Sequence, residues 1–215
     1  MKKVISIVVV FLFSSAFVFS QHGGMIVNLH DAKKAVKDYY SSGKYEMELQ
    51  KCIDEALLNL SQIVLPKNAA FVFDVDETAL SNWSYEINYD FGYVKRHWDE
   101  WVDSSTAPAI PHVKRFYDSL VAKDIMIIFI TGRKHYQYDL TYQNLVNEGY
   151  SKIDTLICKP AEYSSKNAVE YKSTKRRELS AKYHIIGSIG DQWSDLEGGW
   201  TILKVKLPNY MYFIE

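Results

Sequence analysis

The chain has 215 residues, 47% of them hydrophobic, with 25 basic against 26 acidic side chains and a formal net charge of −1. That length and apolar share suit one domain around one sizeable core. Nothing in the even charge balance suggests a polyanion-binding face, so a nucleic-acid polymer is not an expected partner. At the amino end, Lys2 and Lys3 precede an apolar run from Val4 to Phe19, and Val18-Phe19-Ser20 resembles a cleavage site ahead of Gln21. This is the layout of a secretory signal peptide over residues 1–20, with residues 21–215 as the mature domain. A retained membrane anchor is the alternative. The run is short for a span and carries Ser6, Ser14 and Ser15, which favours cleavage. No cysteine stands near the junction, which excludes lipidation there, and no second long apolar segment follows. The expected product is exported, periplasmic or secreted, with no stable membrane span after signal cleavage.

Helical patterns follow at 31–40 and 45–63. In the second, Leu49, Cys52, Ile53, Ala56, Leu57, Leu60 and Ile63 recur at spacings of three and four and make one apolar face. After the breakers Pro66 and Asn68, Phe71-Val72-Phe73 reads as a buried strand over about 70–74. Further strands are predicted at 125–130, 155–158, 185–189 and 201–206, with helices at 111–122, 134–147 and 173–182. Strands alternating with helices predict an α/β fold, a doubly wound, Rossmann-like parallel sheet covered on both faces. About fifty residues separate the first two strands, where a crossover helix needs about a dozen. The surplus, about 81–108, holds Trp83, Tyr85, Tyr89, Phe91, Tyr93, Trp98 and Trp101. It predicts a small helical cap inserted after the first strand and lying over that strand's end. Export permits a disulfide. Cys52 and Cys158 are expected as two separately buried thiols, and the sequence leaves open whether they are bonded.

The first strand ends in Asp74-Val75-Asp76-Glu77-Thr78. Open α/β sheets hold ligands at the carboxyl ends of their strands. Two carboxylates crowded there repel unless a cation or a shared proton relieves them. The second strand ends in Thr131-Gly132-Arg133, a hydroxyl and a close backbone N–H suited to an anion. The fourth ends in Gly190-Asp191-Gln192-Trp193-Ser194-Asp195, which adds two more carboxylates. Between strands three and four lie Lys159, Lys166, Lys172 and Lys175. Lys172 is preferred as the functional lysine because it abuts Ser173, read as the N-cap of the next helix. The six histidines show no ligand spacing, so a zinc site is not expected.

In these motifs the chain resembles the haloacid-dehalogenase (HAD) superfamily phosphohydrolases, in the branch holding bacterial class C acid phosphatases and plant acid phosphatases or vegetative storage proteins. The likeness takes in Asp74-Val75-Asp76-Glu77-Thr78, Thr131-Gly132-Arg133, Tyr171-Lys172-Ser173 and Gly190-Asp191-Gln192-Trp193-Ser194-Asp195. It extends to Ala107-Pro108-Ala109-Ile110-Pro111 and Lys206-Leu207-Pro208-Asn209, and so covers nearly the whole mature chain. The resemblance implies a HAD-type fold and a Mg²⁺-dependent acid phosphatase acting on small phosphomonoesters. It implies Asp74 as the nucleophile that forms a phosphoaspartate, and Asp76 as general acid and then base. Thr131 and Lys172 would hold the phosphoryl oxygens, helped by the Val75 and Gly132 amides. Mg²⁺ would be bound by the Asp74 carboxylate, the Asp76 main-chain carbonyl and the Asp191 carboxylate, with Asp195 in the second layer or bound through water. The charge logic agrees, since a carboxylate attacking an anionic phosphate needs a hard cation and a lysine to offset both. Phosphotransfer to another alcohol, and a non-catalytic storage or binding protein of the same fold, are the alternatives. The resemblance leaves room for a homodimer. Trp83 and Tyr85, nearest the catalytic strand, are expected to face the cleft and favour nucleoside monophosphates or aryl phosphates.

Overall fold

In the computed structural model, which describes residues 27–214, five parallel strands form one sheet: β1 (Ala69–Phe73), β2 (Met126–Lys134), β3 (Thr155–Lys159), β4 (His184–Gly190) and β5 (Leu203–Lys206). Their order is β3-β2-β1-β4-β5. The signal-peptide reading of residues 1–20 lies outside the described residues. The helices are α1 (Leu29–Ser41), α2 (Lys44–Ser61), α3 (Trp83–Asn88), α4 (Lys95–Ser104), α5 (Pro111–Val121), α6 (Tyr138–Asn147) and α7 (Ala168–Leu179).

Side chains of a strand alternate between faces, and both faces of this sheet are covered. Phe71, Phe73, Ile127 and Phe129 pack with Leu49, Ile53 and Leu60 of α2, Phe116 and Leu120 of α5, and Leu145 of α6. Ala70, Val72, Ile128, Ile130 and Ile185 face the other way, onto Tyr171 and Leu179 of α7. Every residue of β1 is buried, which explains its unbroken apolar run. The chain winds from β1 outward through β2 to β3, then crosses back to β4 on the other side of β1. The order therefore reverses between β1 and β4, and such a switch point opens a crevice at the carboxyl ends of the strands.

The predicted elements differ from the observed ones near that crevice. Strand β2 runs on to Lys134, past a register shift between Thr131 and Lys134. The helix expected at 134–147 is divided into one 3-10 turn, His135–Gln137, and α6. The helix expected at 173–182 already begins at Ala168, where Asn167 is the N-cap and its Oδ1 accepts from the Glu170 amide at 2.8 Å. Ser173 is therefore not a cap, and Lys172 sits inside the helix. The Asn167 side chain satisfies a first-turn N–H that would otherwise be unpaired, and this fixes the earlier start. Helices α3 and α4 lie in the long interval between β1 and α5. Both cysteines are free, Cys158 buried and Cys52 half-buried.

Candidate active site

The Asp74 amide donates to the Ile189 carbonyl at 3.0 Å, which extends the ladder one residue beyond β1 and sets the Asp74 carboxylate beside the end of β4. Lys172 reaches the same point from α7. Its Nζ donates to Asp74 Oδ1 at 2.6 Å and also to Asp195 Oδ1. Carboxylate oxygens of Asp74, Asp191 and Asp195 lie within 4.8 Å of one another, and all three residues are buried. Gly190 makes this approach feasible: a Cβ there would stand 2.2 Å from Asp195 Oδ2. The buried Arg176 fixes the following loop, with Nη1 donating to the Asp195 carbonyl at 2.6 Å and Nε to the Gly199 carbonyl at 3.1 Å.

Burial pushes the Asp74 carboxyl well above its ordinary value. The Lys172 ammonium opposes that shift, and Asp195, Asp191 and Asp76 add to it. Asp191 rises to about 7, through burial first and then through Asp195 and Glu77. Burial disfavours the Lys172 ammonium, yet Asp195 and Asp74 outweigh it and hold the lysine above its usual range. One ammonium thus stands against three carboxylates. The donor set is all oxygen, with neither nitrogen nor sulfur, and it fits a hard divalent cation. Asp191 is already oriented for such a role. Its amide donates to Thr78 Oγ1 at 3.1 Å, and its Oδ2 accepts from Gln192 Nε2 and Asn209 Nδ2, each at 2.7 Å.

Asp76 points elsewhere. Its carboxylate takes the fork of the buried Arg133, from Nη2 at 2.7 Å and from Nε at 3.0 and 3.2 Å, and also accepts from Asn82 Nδ2 at 3.0 Å. Glu77 has a left-handed φ of 53°, unusual for a residue with a side chain. Its buried carboxylate holds that turn by accepting from the Asn82 amide at 2.7 Å, Asn82 Nδ2 at 2.9 Å and the Tyr212 hydroxyl at 2.5 Å. Burial, then Asp76, push the Glu77 pKa up to about 8 against those hydrogen bonds. Thr131 is buried, and its Oγ1 accepts from the Arg133 amide at 3.1 Å. Gly132 faces the cavity over the strand ends.

That cavity, of roughly 600 Å³, has Asp74, Asp76, Asp191, Gly132, Arg133 and Lys172 in its floor. Phe91, Tyr93 and Trp98 from the 81–108 segment and Phe213 and Ile214 from the carboxyl-terminal segment form its apolar wall. The expectation for Trp83 and Tyr85 is corrected here, since neither lines the cavity. Trp83 stacks on Tyr40 of α1, with ring centroids 4.6 Å apart at 12°, and Tyr85 is buried among Tyr89, Trp98 and Trp101. Nearness in sequence to the strand ties both into the packing at the base of the segment.

Residues 7–215 match the HAD superfamily, subfamily IIIB (Acid phosphatase). The chain belongs to that family. It is 36% identical over 189 residues to the stem 28 kDa glycoprotein of Glycine max, covering 85% of this chain and 74% of the relative. It is 33% identical over 186 residues to acid phosphatase 1 of Solanum lycopersicum, covering 83% and 73%. Its fold is similar to that of the class C acid phosphatase from Bacillus anthracis, with a TM-score of 0.71 at 24% identity and 85% coverage of both chains.

Within this acid phosphatase fold the structure brings Asp74, Lys172, Asp191 and Asp195 into one cluster and sets Asp76, Thr131 and Gly132 around it. Arg133 stands in the Thr131-Gly132-Arg133 motif but had no expected role. A basic residue directly after Thr131-Gly132 was the available signal for a partner to Asp76. Asn82, Glu77 and Tyr212 were also missed. Tyr212 reaches Glu77 across 135 positions of sequence, and no local pattern signals that contact.

Proposed function

We propose that the chain hydrolyses phosphomonoesters through a phosphoaspartate on Asp74. The observation that carries this reading is the Asp74 carboxylate itself, buried at the switch point, held by Lys172 at 2.6 Å and grouped with Asp191 and Asp195. A bond forms between an Asp74 carboxylate oxygen and phosphorus as the ester oxygen departs. Asp76 gives that oxygen a proton, then takes one from the water that hydrolyses the phosphoaspartate. The Arg133 fork and Asn82 hold the Asp76 carboxylate in place before substrate arrives. Lys172 offsets the charge of the phosphoryl oxygens, which the Thr131 hydroxyl and the Val75 and Gly132 amides also bind. The Asp74 and Asp191 carboxylates and the Asp76 main-chain carbonyl would hold Mg²⁺, with Asp195 behind them. When bound, the ion supplies the positive charge that lets carboxylate and phosphate meet.

Residues 81–108 act as a cap over this floor. Phe91, Tyr93 and Trp98 face the space the leaving group would fill, which favours aryl phosphates and nucleoside monophosphates over small aliphatic ones. The basic and apolar start of the sequence supports export. The test is phosphate release over a panel of phosphomonoesters with and without a chelator. Release that chelation stops and Mg²⁺ restores is expected. Undiminished release after exhaustive chelation would contradict the metal requirement, and no release from any ester would contradict the activity.

A further inference from the structure

One side of the cavity carries more positive charge than the reacting phosphoryl group needs. Lys172 is paired with Asp74 and Asp195, and Arg133 with Asp76. Three more lysines, Lys134, Lys159 and Lys166, line the same cavity, opposed there outside the Asp74, Asp76 and Asp191 group only by Glu86. Their placement follows from the fold. The register shift after Thr131 sets Lys134 opposite Lys159 at the ends of β2 and β3. Lys159 Nζ then donates to the Lys166 carbonyl at 2.8 Å, which brings in the start of α7. Asn167 and Ala168, at the N-terminus of that 12-residue helix, also face the cavity and add the positive end of its dipole.

Among the described residues, Lys134 and Lys159 form no ion pair with a carboxylate, while Lys166 pairs with Glu170 at 2.6 Å. Lys159 is half-buried, and burial together with Lys134 and Lys172 disfavours its charge. Cations gathered in a cleft without an anion repel one another, and a ligand's negative group relieves that repulsion.

We infer that Lys134, Lys159 and the start of α7 form a second anion subsite, taking a phosphate or carboxylate carried by the alcohol part of the substrate. The preferred esters would then carry two anionic groups, as nucleoside bisphosphates do. This inference rests on the phosphomonoesterase reading for what occupies the Asp74 end. The test separates the two. In the full-length Asp74→Asn variant, where turnover is blocked, calorimetry compares adenosine 3′,5′-bisphosphate with adenosine 5′-monophosphate in the presence of Mg²⁺. The bisphosphate should bind about tenfold more tightly or better, as charge-assisted hydrogen bonds to a second group allow. The advantage should shrink as salt is added. Adding Lys134→Gln and Lys159→Gln should collapse the difference between the two ligands. Equal affinity at the outset, or a loss of the same size for both ligands in the lysine variant, would overturn the subsite. Phosphate release by the unmutated chain is read separately, and its absence with both nucleotides would count against the catalytic reading alone.

Discussion

The floor and the wall of the cavity are built by opposite means. The floor consists of carboxylates and an arginine at strand ends and a lysine from α7, all buried or nearly so and each held by at least one hydrogen bond. The wall consists of the half-exposed Phe91 and Trp98, with Tyr93 and Phe213 more open to solvent, on a short helical segment and the carboxyl-terminal stretch. In the proposed reaction the floor meets the phosphoryl group that every substrate shares, and the rings meet the alcohol part, which differs between substrates. Changes in the floor should therefore act on kcat for every substrate, and changes in the wall on KM for some.

The largest break in that contrast is expected at Asp74. Asp74→Asn keeps the shape and removes the proposed nucleophile, so kcat should fall by about 10³ or more for all esters, with an unchanged circular dichroism spectrum. A folded variant keeping more than a few per cent of activity would contradict the assignment. Gly190→Ala comes next. Its Cβ would meet Asp195 Oδ2 at 2.2 Å and Asp195 Cβ at 2.3 Å, so Asp195 must leave its contacts with Lys172 and with the Gln192 amide. A kcat lower by about 10² is expected, equally for aryl and aliphatic esters, since misplacing such a group costs about that much.

How far each region was legible in the sequence follows the same division. The five strands could be read from their apolar runs, and the end motifs of β1, β2 and β4 because each is local: an apolar run followed at once by Asp, Thr-Gly or Gly-Asp. Lys172 reaches the Asp74 carboxylate, but Ser173, the cap expected beside it, is not a cap; the early start of α7 depends on the Asn167 side chain. The wall was misread. Trp83 and Phe91 are equally aromatic, and only the packing of Trp83 against Tyr40 on α1 decides which of them turns from the cavity. Contacts between segments far apart, such as Tyr212 with Glu77 and Asn209 with Asp191, leave no periodicity to read.

Smaller effects sharpen the contrast. Trp98→Ala should raise KM for aryl phosphates by about tenfold, the loss of one stacking partner, and leave kcat and the KM for glycerol phosphate nearly as they were. A matching fall in kcat would place Trp98 in the floor's geometry instead. The smallest effect is on stability against pH. In the folded chain Asp191 titrates at about 7 and Glu77 at about 8, against ordinary values of 3.8 and 4.5. Between those limits the folded chain holds protons that the unfolded chain has lost, so stability falls as pH rises from about 4 to about 8. With chelator present, Tm should therefore be higher at pH 5 than at pH 8, and Mg²⁺ should raise it at pH 8. A Tm in chelator that climbs over this range would contradict the burial of these carboxyls.

The central claim, that the buried Asp74 attacks phosphorus, is tested most directly by trapping the intermediate. An aryl phosphate labelled in its phosphoryl group is mixed with the enzyme and Mg²⁺, quenched in acid within milliseconds, and the label is mapped by peptide mass. The account predicts label on the peptide holding Asp74, released by neutral hydroxylamine as an acyl phosphate is, and absent from Asp74→Asn. Phosphate release with no label on the chain, or with label on another residue, would contradict it.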